Sequence, residues 1–136
     1  MDQVSDEELK KVIKDFLDMG HVENIAAMFR HDPRYFAWTG EILDDERFNV
    51  RLGVSVLFEE LQPLQPERLE LAIPSLTRLL QSPSALLRGE AICVLGIIGT
   101  EKAIKFVREM LGDPSPQVRE MAELVLEEEE KGKAVA

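Results

Sequence analysis

Three arginines occupy matched positions in the chain. Arg51 and Arg119 each follow an aspartate, Asp45 and Asp113, by six residues, and Arg88 follows Ser82 at the same distance. An aspartate at a helix start accepts backbone N–H groups and sits at the positive end of the helix dipole, while an arginine offers a planar fork of donors to more than one acceptor. The pattern suits charge-assisted hydrogen bonds of structural purpose. The functional alternative is a row of anion-binding groups, favoured at Arg88, whose turn carries Ser82 in place of an aspartate. A second group is aromatic: all such residues except Phe106 fall at or before Phe58. They suit a bulky N-terminal core. In Tyr35-Phe36-Ala37-Trp38, however, four successive positions of a helix cannot all face one core, so Tyr35 and Trp38 are candidate partner contacts of a type enriched in binding hot spots.

Other reactive residues give weaker patterns. His21 and His31 lie at expected helix boundaries and form neither H-x-x-x-H nor H-E-x-x-H, so no metal centre is expected. Cys93, within Ile92-Cys93-Val94-Leu95, lacks the basic or helix-start setting of a reactive thiol and suits a small buried hydrophobe. No nucleophile elbow or glycine-rich phosphate loop occurs, so no catalytic residue and no cofactor is expected.

The elements that must position these residues are helices. The 136 residues, 45% hydrophobic and 31% charged, suit one domain with an apolar core of its own. The net charge of -10 disfavours nucleic acid, whose phosphates need clustered Lys and Arg. An acidic N-terminal stretch and an apolar run limited to 91–99 predict neither a signal peptide nor a membrane span, which leaves a cytoplasmic location as the expectation. Residues 80–95 and 111–126 repeat at an offset of 31, with Leu80, Pro83, Ser84, Arg88, Ala91 and Leu95 matched by Leu111, Pro114, Ser115, Arg119, Ala122 and Leu126. A fainter copy aligns Asp45, Val50, Arg51, Val54 and Phe58 with Ser82, Leu87, Arg88, Ala91 and Leu95. Apolar spacing such as Leu87, Ala91, Val94, Leu95 and Ile98 is helical. Breaks at Met19-Gly20, His31-Asp32-Pro33, Gln62-Pro63, Ser82-Pro83, Gly99-Thr100 and Asp113-Pro114 pair cap formers with Gly or Pro.

About eight helices in about four pairs follow, with no strand. Ser5 and Glu8 form a capping box for the first, and the fifth opens at Glu67-Arg68 and bends at Pro74. Short amphipathic helices in repeated pairs bury their stripes by stacking, so the fold class is all-α, an α-α superhelix. The domain is single over 1–136: a divergent N-terminal cap pair over 1–35, repeat pairs over 36–130 and a frayed tail over 131–136.

With Pro74 eight residues before Ser82, Arg88 six after it, and Asp45 and Asp113 six before Arg51 and Arg119, the units resemble the HEAT repeat family, in the short form also found in phycobilisome lyases. The resemblance implies a solenoid in which turn aspartates and second-helix arginines, here Asp45, Arg51, Arg88, Asp113 and Arg119, form a ladder between units. Ser82 interrupts the aspartate series, and Lys105 stands where the repeat's proline would be, which implies a straighter helix over 101–111.

The function expected is a non-enzymatic scaffold or adaptor that binds a protein, preferably one with a basic surface, on the concave face of the second helices. One turn beyond the arginines, Ser55, Ile92 and Glu123 are expected on that face together with Arg88. Two alternatives come from other classes: a bilin-lyase-type enzyme accessory, which shares the repeat form, and a homo-oligomeric structural protein joined through its N-terminal aromatics.

Overall fold

A computed structural model describes residues 4–135, with side chains to Lys133; residues 1–3 and Ala136 lie outside it. Local signals start and stop each element. Ser5 Oγ accepts from the backbone N–H of Glu8 at 3.1 Å and opens α1, Asp6–Asp18, which ends before Gly20 in the left-handed region (φ 85°). After α2, Val22–His31, the Asp32 carboxylate caps a 3-10 helix over Pro33–Trp38 that leads into α3, Thr39–Leu43. Next come α4, Phe48–Leu61, a second 3-10 helix over Pro66–Ala72, and α5, Ile73–Leu79. Ser84 caps α6, Ala85–Ile98, and Gly99 at φ 68° ends it. Thr100 then caps α7, Glu101–Glu109, and a 3-10 turn over Met110–Gly112 precedes α8, Pro116–Val135. There is no strand among the described residues.

Two layers result. The 3-10 helices over 33–38 and 66–72 pack on each other, as do α3 and α5, while α4, α6 and α8 stack successively in the second layer. Each first-layer segment also packs on its second helix: α3 on α4, α5 on α6 and α7 on α8. At the N-terminal end, α1 and α2 both rest on α4. Gly40 joins α3 to α5: its N–H donates to Ser75 Oγ at 2.9 Å, and any Cβ there would collide with the Ser75 carbonyl.

Three expectations are corrected. The fifth helix does not run α-helical through a bend: 66–72 are 3-10, and Pro74 stands in the first turn of α5, where its missing N–H breaks no helical bond. Tyr35 and Trp38 also lie in a 3-10 helix, whose three residues per turn place them on one side, with Phe36 fully buried. Residues 131–135, expected to fray, continue α8 as helix. The N-terminal core is aromatic, with Phe36 meeting Phe29 and Phe58 edge-on at centroid distances of 5.0 and 6.0 Å.

Candidate functional site

The arginines lie against the turns that precede their helices. Arg51 Nη1 donates to the carbonyls of Asp45 and Glu46 at 2.9 and 2.8 Å, and Arg119 Nη1 to those of Asp113 and Pro114 at 2.7 and 3.1 Å. Arg88 does more. Its Nη1 reaches the Ser82 carbonyl at 2.8 Å, while Nε and Nη2 grip both Asp113 carboxylate oxygens at 2.8 and 3.0 Å, joining the α6 unit to the α8 unit. Asp113, 8% exposed, also accepts from the Ser115 N–H at 2.8 Å. The Arg88 guanidinium holds the Asp113 carboxyl below the usual carboxylate range, against the opposing effect of burial. Ser82 therefore does not free Arg88 to bind an anion or a partner.

At Asp45 the carboxylate turns away from Arg51. It accepts from Arg47 Nε and Nη2, both at 3.1 Å, with Lys14 at 3.8 Å, and the Arg47 hydrogen bond depresses its pKa. Between the matched aspartates and arginines of the repeat, a carboxylate-to-arginine bridge occurs once among the described residues, at Arg88–Asp113, while Arg47 ties the start of α4 to Asp15 and Asp18 of α1 at 3.0 and 3.5 Å.

A groove of about 640 Å³ crosses the second layer, lined by Ser55 and Glu59 of α4, Cys93, Gly96 and Ile97 of α6, and Leu124, Val125, Glu128 and Glu129 of α8. Gly96 sets its floor, because a Cβ there would stand 2.6 Å from Val125 Cγ1, and its absence lets α8 close on α6. Cys93 Sγ donates to Met121 Sδ at 3.3 Å. Burial, with a smaller contribution from the Glu90 charge, pushes this thiol up to about 11, so it lines the groove as a neutral group. Burial also raises the half-buried Glu90 carboxyl, opposed by the Arg51 charge. The groove lining has an apolar floor, three carboxylates and no Lys or Arg.

The family model of HEAT repeats matches residues 36–127, more than half of the sequence and including the pairs that build this groove. The chain belongs to the HEAT repeat family. Comparison with curated proteins and with solved structures finds no match. HEAT repeats generally mediate protein–protein interaction, and the family is typically a non-enzymatic scaffold.

Within this HEAT repeat chain the three positions expected on one face separate. Ser55 lines the groove. Ile92 is 0% exposed and belongs to the core, because α6 is packed between α4 and α8. Glu123 is exposed but borders a different depression of α8, with Leu111, Leu126 and Glu127. The repeat positions that reach the groove are one residue later, Cys93 and Leu124, again 31 apart. One residue turns a helix by about 100°, which separates a buried position from a groove position. The sequence alone reads Glu127 to Glu130 as a solvated helix end, with an interaction tail as the alternative, and does not place Glu59, Glu128 or Glu129 on the expected face; the 31-residue alignment, which sets Leu124 on Cys93 and Glu128 on Ile97, was the signal available.

The N-terminal aromatics carry cations of this chain's own. Tyr35 and Trp38 lie 5.2 Å apart, Lys10 Nζ sits 5.1 Å from the Trp38 ring, and Arg34 lies 5.3 and 6.0 Å from Tyr35 and Trp38. Lys10 is fixed by Glu41 at 2.7 Å and Glu7 at 3.2 Å. Both rings are only half-buried. His21 stacks edge-on against Phe16 at 5.8 Å, and among the described residues no three His, Cys, Asp or Glu side chains converge as metal ligands. Among those residues no helix is long and apolar enough to cross a membrane.

Proposed function

We propose that the chain is a non-enzymatic adaptor whose docking surface is the α4–α6–α8 face, and that its partner is a protein presenting a basic surface. The observation that carries this reading is the groove lining, in which an apolar floor lies beside Glu59, Glu128 and Glu129, and the cations nearest the last two, Lys131 and Lys133, stand outside the lining in long, exposed contacts. Apolar area supplies affinity, and the carboxylates supply orientation and a faster encounter with a cationic partner. The N-terminal aromatics support a partner less well, since Lys10 and Arg34 already occupy positions over their faces.

Affinity capture of the tagged chain from the lysate of its native cells tests the reading. A Ser55→Lys/Leu124→Lys bait, which fills the groove with positive charge, is expected to lose a stoichiometric protein that a Tyr35→Ala/Trp38→Ala bait retains. Loss with the aromatic variant alone would move the site to the first units. Capture of nothing but the chain itself would end the adaptor reading.

A further inference from the structure

Resting on that docking surface, we infer that its occupant is a projecting segment of a partner protein in which an aliphatic side chain is flanked by Lys or Arg. The chemistry follows from where the groove lies. Glu59 belongs to the last turn of α4, and Gly96 and Ile97 to the last turn of α6. The C-terminal end of a helix carries about half a negative charge, so two such ends reinforce the carboxylates there, although following turns already satisfy the Phe58, Leu61 and Leu95 carbonyls. Cations are favoured at this place by side chains and backbone together.

Beside this negative end the floor is aliphatic. Leu124 is 52% exposed, and Ile97 and Val125 are half-buried next to it, so an apolar side chain entering between them removes water from both surfaces. Lys131 and Lys133 approach Glu128 and Glu129 from α8 itself, at 3.8 and 3.7 Å. Such exposed contacts within one helix contribute little and are readily exchanged for a partner's cation.

A second copy of the chain fits less well. Its cationic groups line clefts: Lys102, Lys105, Arg108 and Lys133 one of about 540 Å³ between α7 and α8, and Lys10, Lys11, Lys14 and Arg47 one of about 530 Å³ in which four carboxylates face them. A cleft cannot enter a groove, whereas a helix or extended segment can lie along one.

Fluorescence anisotropy of the full chain with a labelled twelve-residue peptide of alternating Arg and Leu tests the inference, with a Glu/Leu peptide as the reversed probe. If each exposed carboxylate contributes about a factor of two, Glu59→Gln/Glu128→Gln/Glu129→Gln weakens Arg/Leu binding by roughly tenfold. The control Glu123→Gln/Glu127→Gln/Glu130→Gln removes the same charge from outside the groove and is expected to weaken it by less than about twofold. Leu124→Ser is expected to weaken binding without changing its salt dependence. Equal loss in both triple variants, equal binding of the Glu/Leu peptide, or no binding of the Arg/Leu peptide would overturn the inference. So would a dimer in sedimentation that dissociates on the groove substitutions, which would make the occupant a second copy. If a captured partner is lost from the Ser55→Lys/Leu124→Lys bait while the Arg/Leu peptide fails to compete for it, the docking face stands and the basic segment falls. If the partner is lost only from the aromatic bait, the docking face itself falls.

Discussion

Replacing Asp113 with alanine should cost about twice as much as replacing Asp45, although the repeat gives the two aspartates the same place. Asp113 is 5% exposed at its side chain and Arg88 13%, and two donors of the arginine meet two oxygens of the carboxylate. Removing one partner of such a pair leaves the other charge with little water, and the loss is about 3 kcal/mol or somewhat more. The Ser115 N–H also loses its acceptor in the turn before α8, worth about 1 kcal/mol. Asp45 accepts from the Arg47 N–H at 2.8 Å in the same way, but its charge partner Arg47 is 40% exposed, so Asp45→Ala should cost about 2 kcal/mol.

The assay is urea unfolding followed by circular dichroism on the cycle wild type, Arg88→Met, Asp113→Ala and the double variant. The coupling energy isolates the pair from the turn hydrogen bond, and its expected value is about 2 kcal/mol, retained in high salt because the pair is shielded from solvent. A coupling below about 0.5 kcal/mol would show that Arg88–Asp113 behaves as an ordinary surface pair, and would refute the claim that it joins the last two units.

Three further predictions follow from the same structure. Because its folded-state pKa is depressed, Asp113 contributes stability that is complete above its unfolded value of about 4 and lost as pH falls through the lower folded value; the stability gap between wild type and Asp113→Asn should therefore be constant near neutrality and close in acid titration. Phe36→Ala should destabilise by about 3–5 kcal/mol in urea unfolding, since Phe36 is fully buried against Phe29 and Phe58; a loss under about 1 kcal/mol would contradict that packing. Cys93, with its thiol near 11, should alkylate with iodoacetamide at pH 8 roughly a hundredfold more slowly than a free cysteine; a rate equal to that of free cysteine would contradict its neutral state.

The sequence and the structure agree where the governing interactions are local. Ser5 and Thr100 cap the helices that follow them, and Gly99 ends α6 in the one backbone region that favours glycine, while the cap of α6 is Ser84, two residues after Ser82 of the expected Ser82-Pro83 break. They diverge where distant contacts decide. Whether 33–38 and 66–72 form α or 3-10 turns depends on the packing of these two segments on each other, beside the close Gly40–Ser75 approach of α3 and α5, which no local pattern records. The partner of Arg88 is an aspartate 25 residues away, so the substitution at Ser82 was a poor guide to its state. The groove was displaced by one residue for a related reason: the arginine register locates the turn contacts, whereas the exposed side of α6 depends on how α4 and α8 flank it, which turns Ile92 inward and leaves Cys93 at the surface of the groove.

Docking of a partner across α4, α6 and α8 is tested most directly by site-specific photo-crosslinking. A photoreactive residue placed at Leu124, in the groove, is predicted to crosslink a partner protein in native lysate, through a Lys- or Arg-containing segment identified by mass. The same residue placed at Trp38 should give no such product. Crosslinks from Trp38 with none from Leu124 would contradict the account.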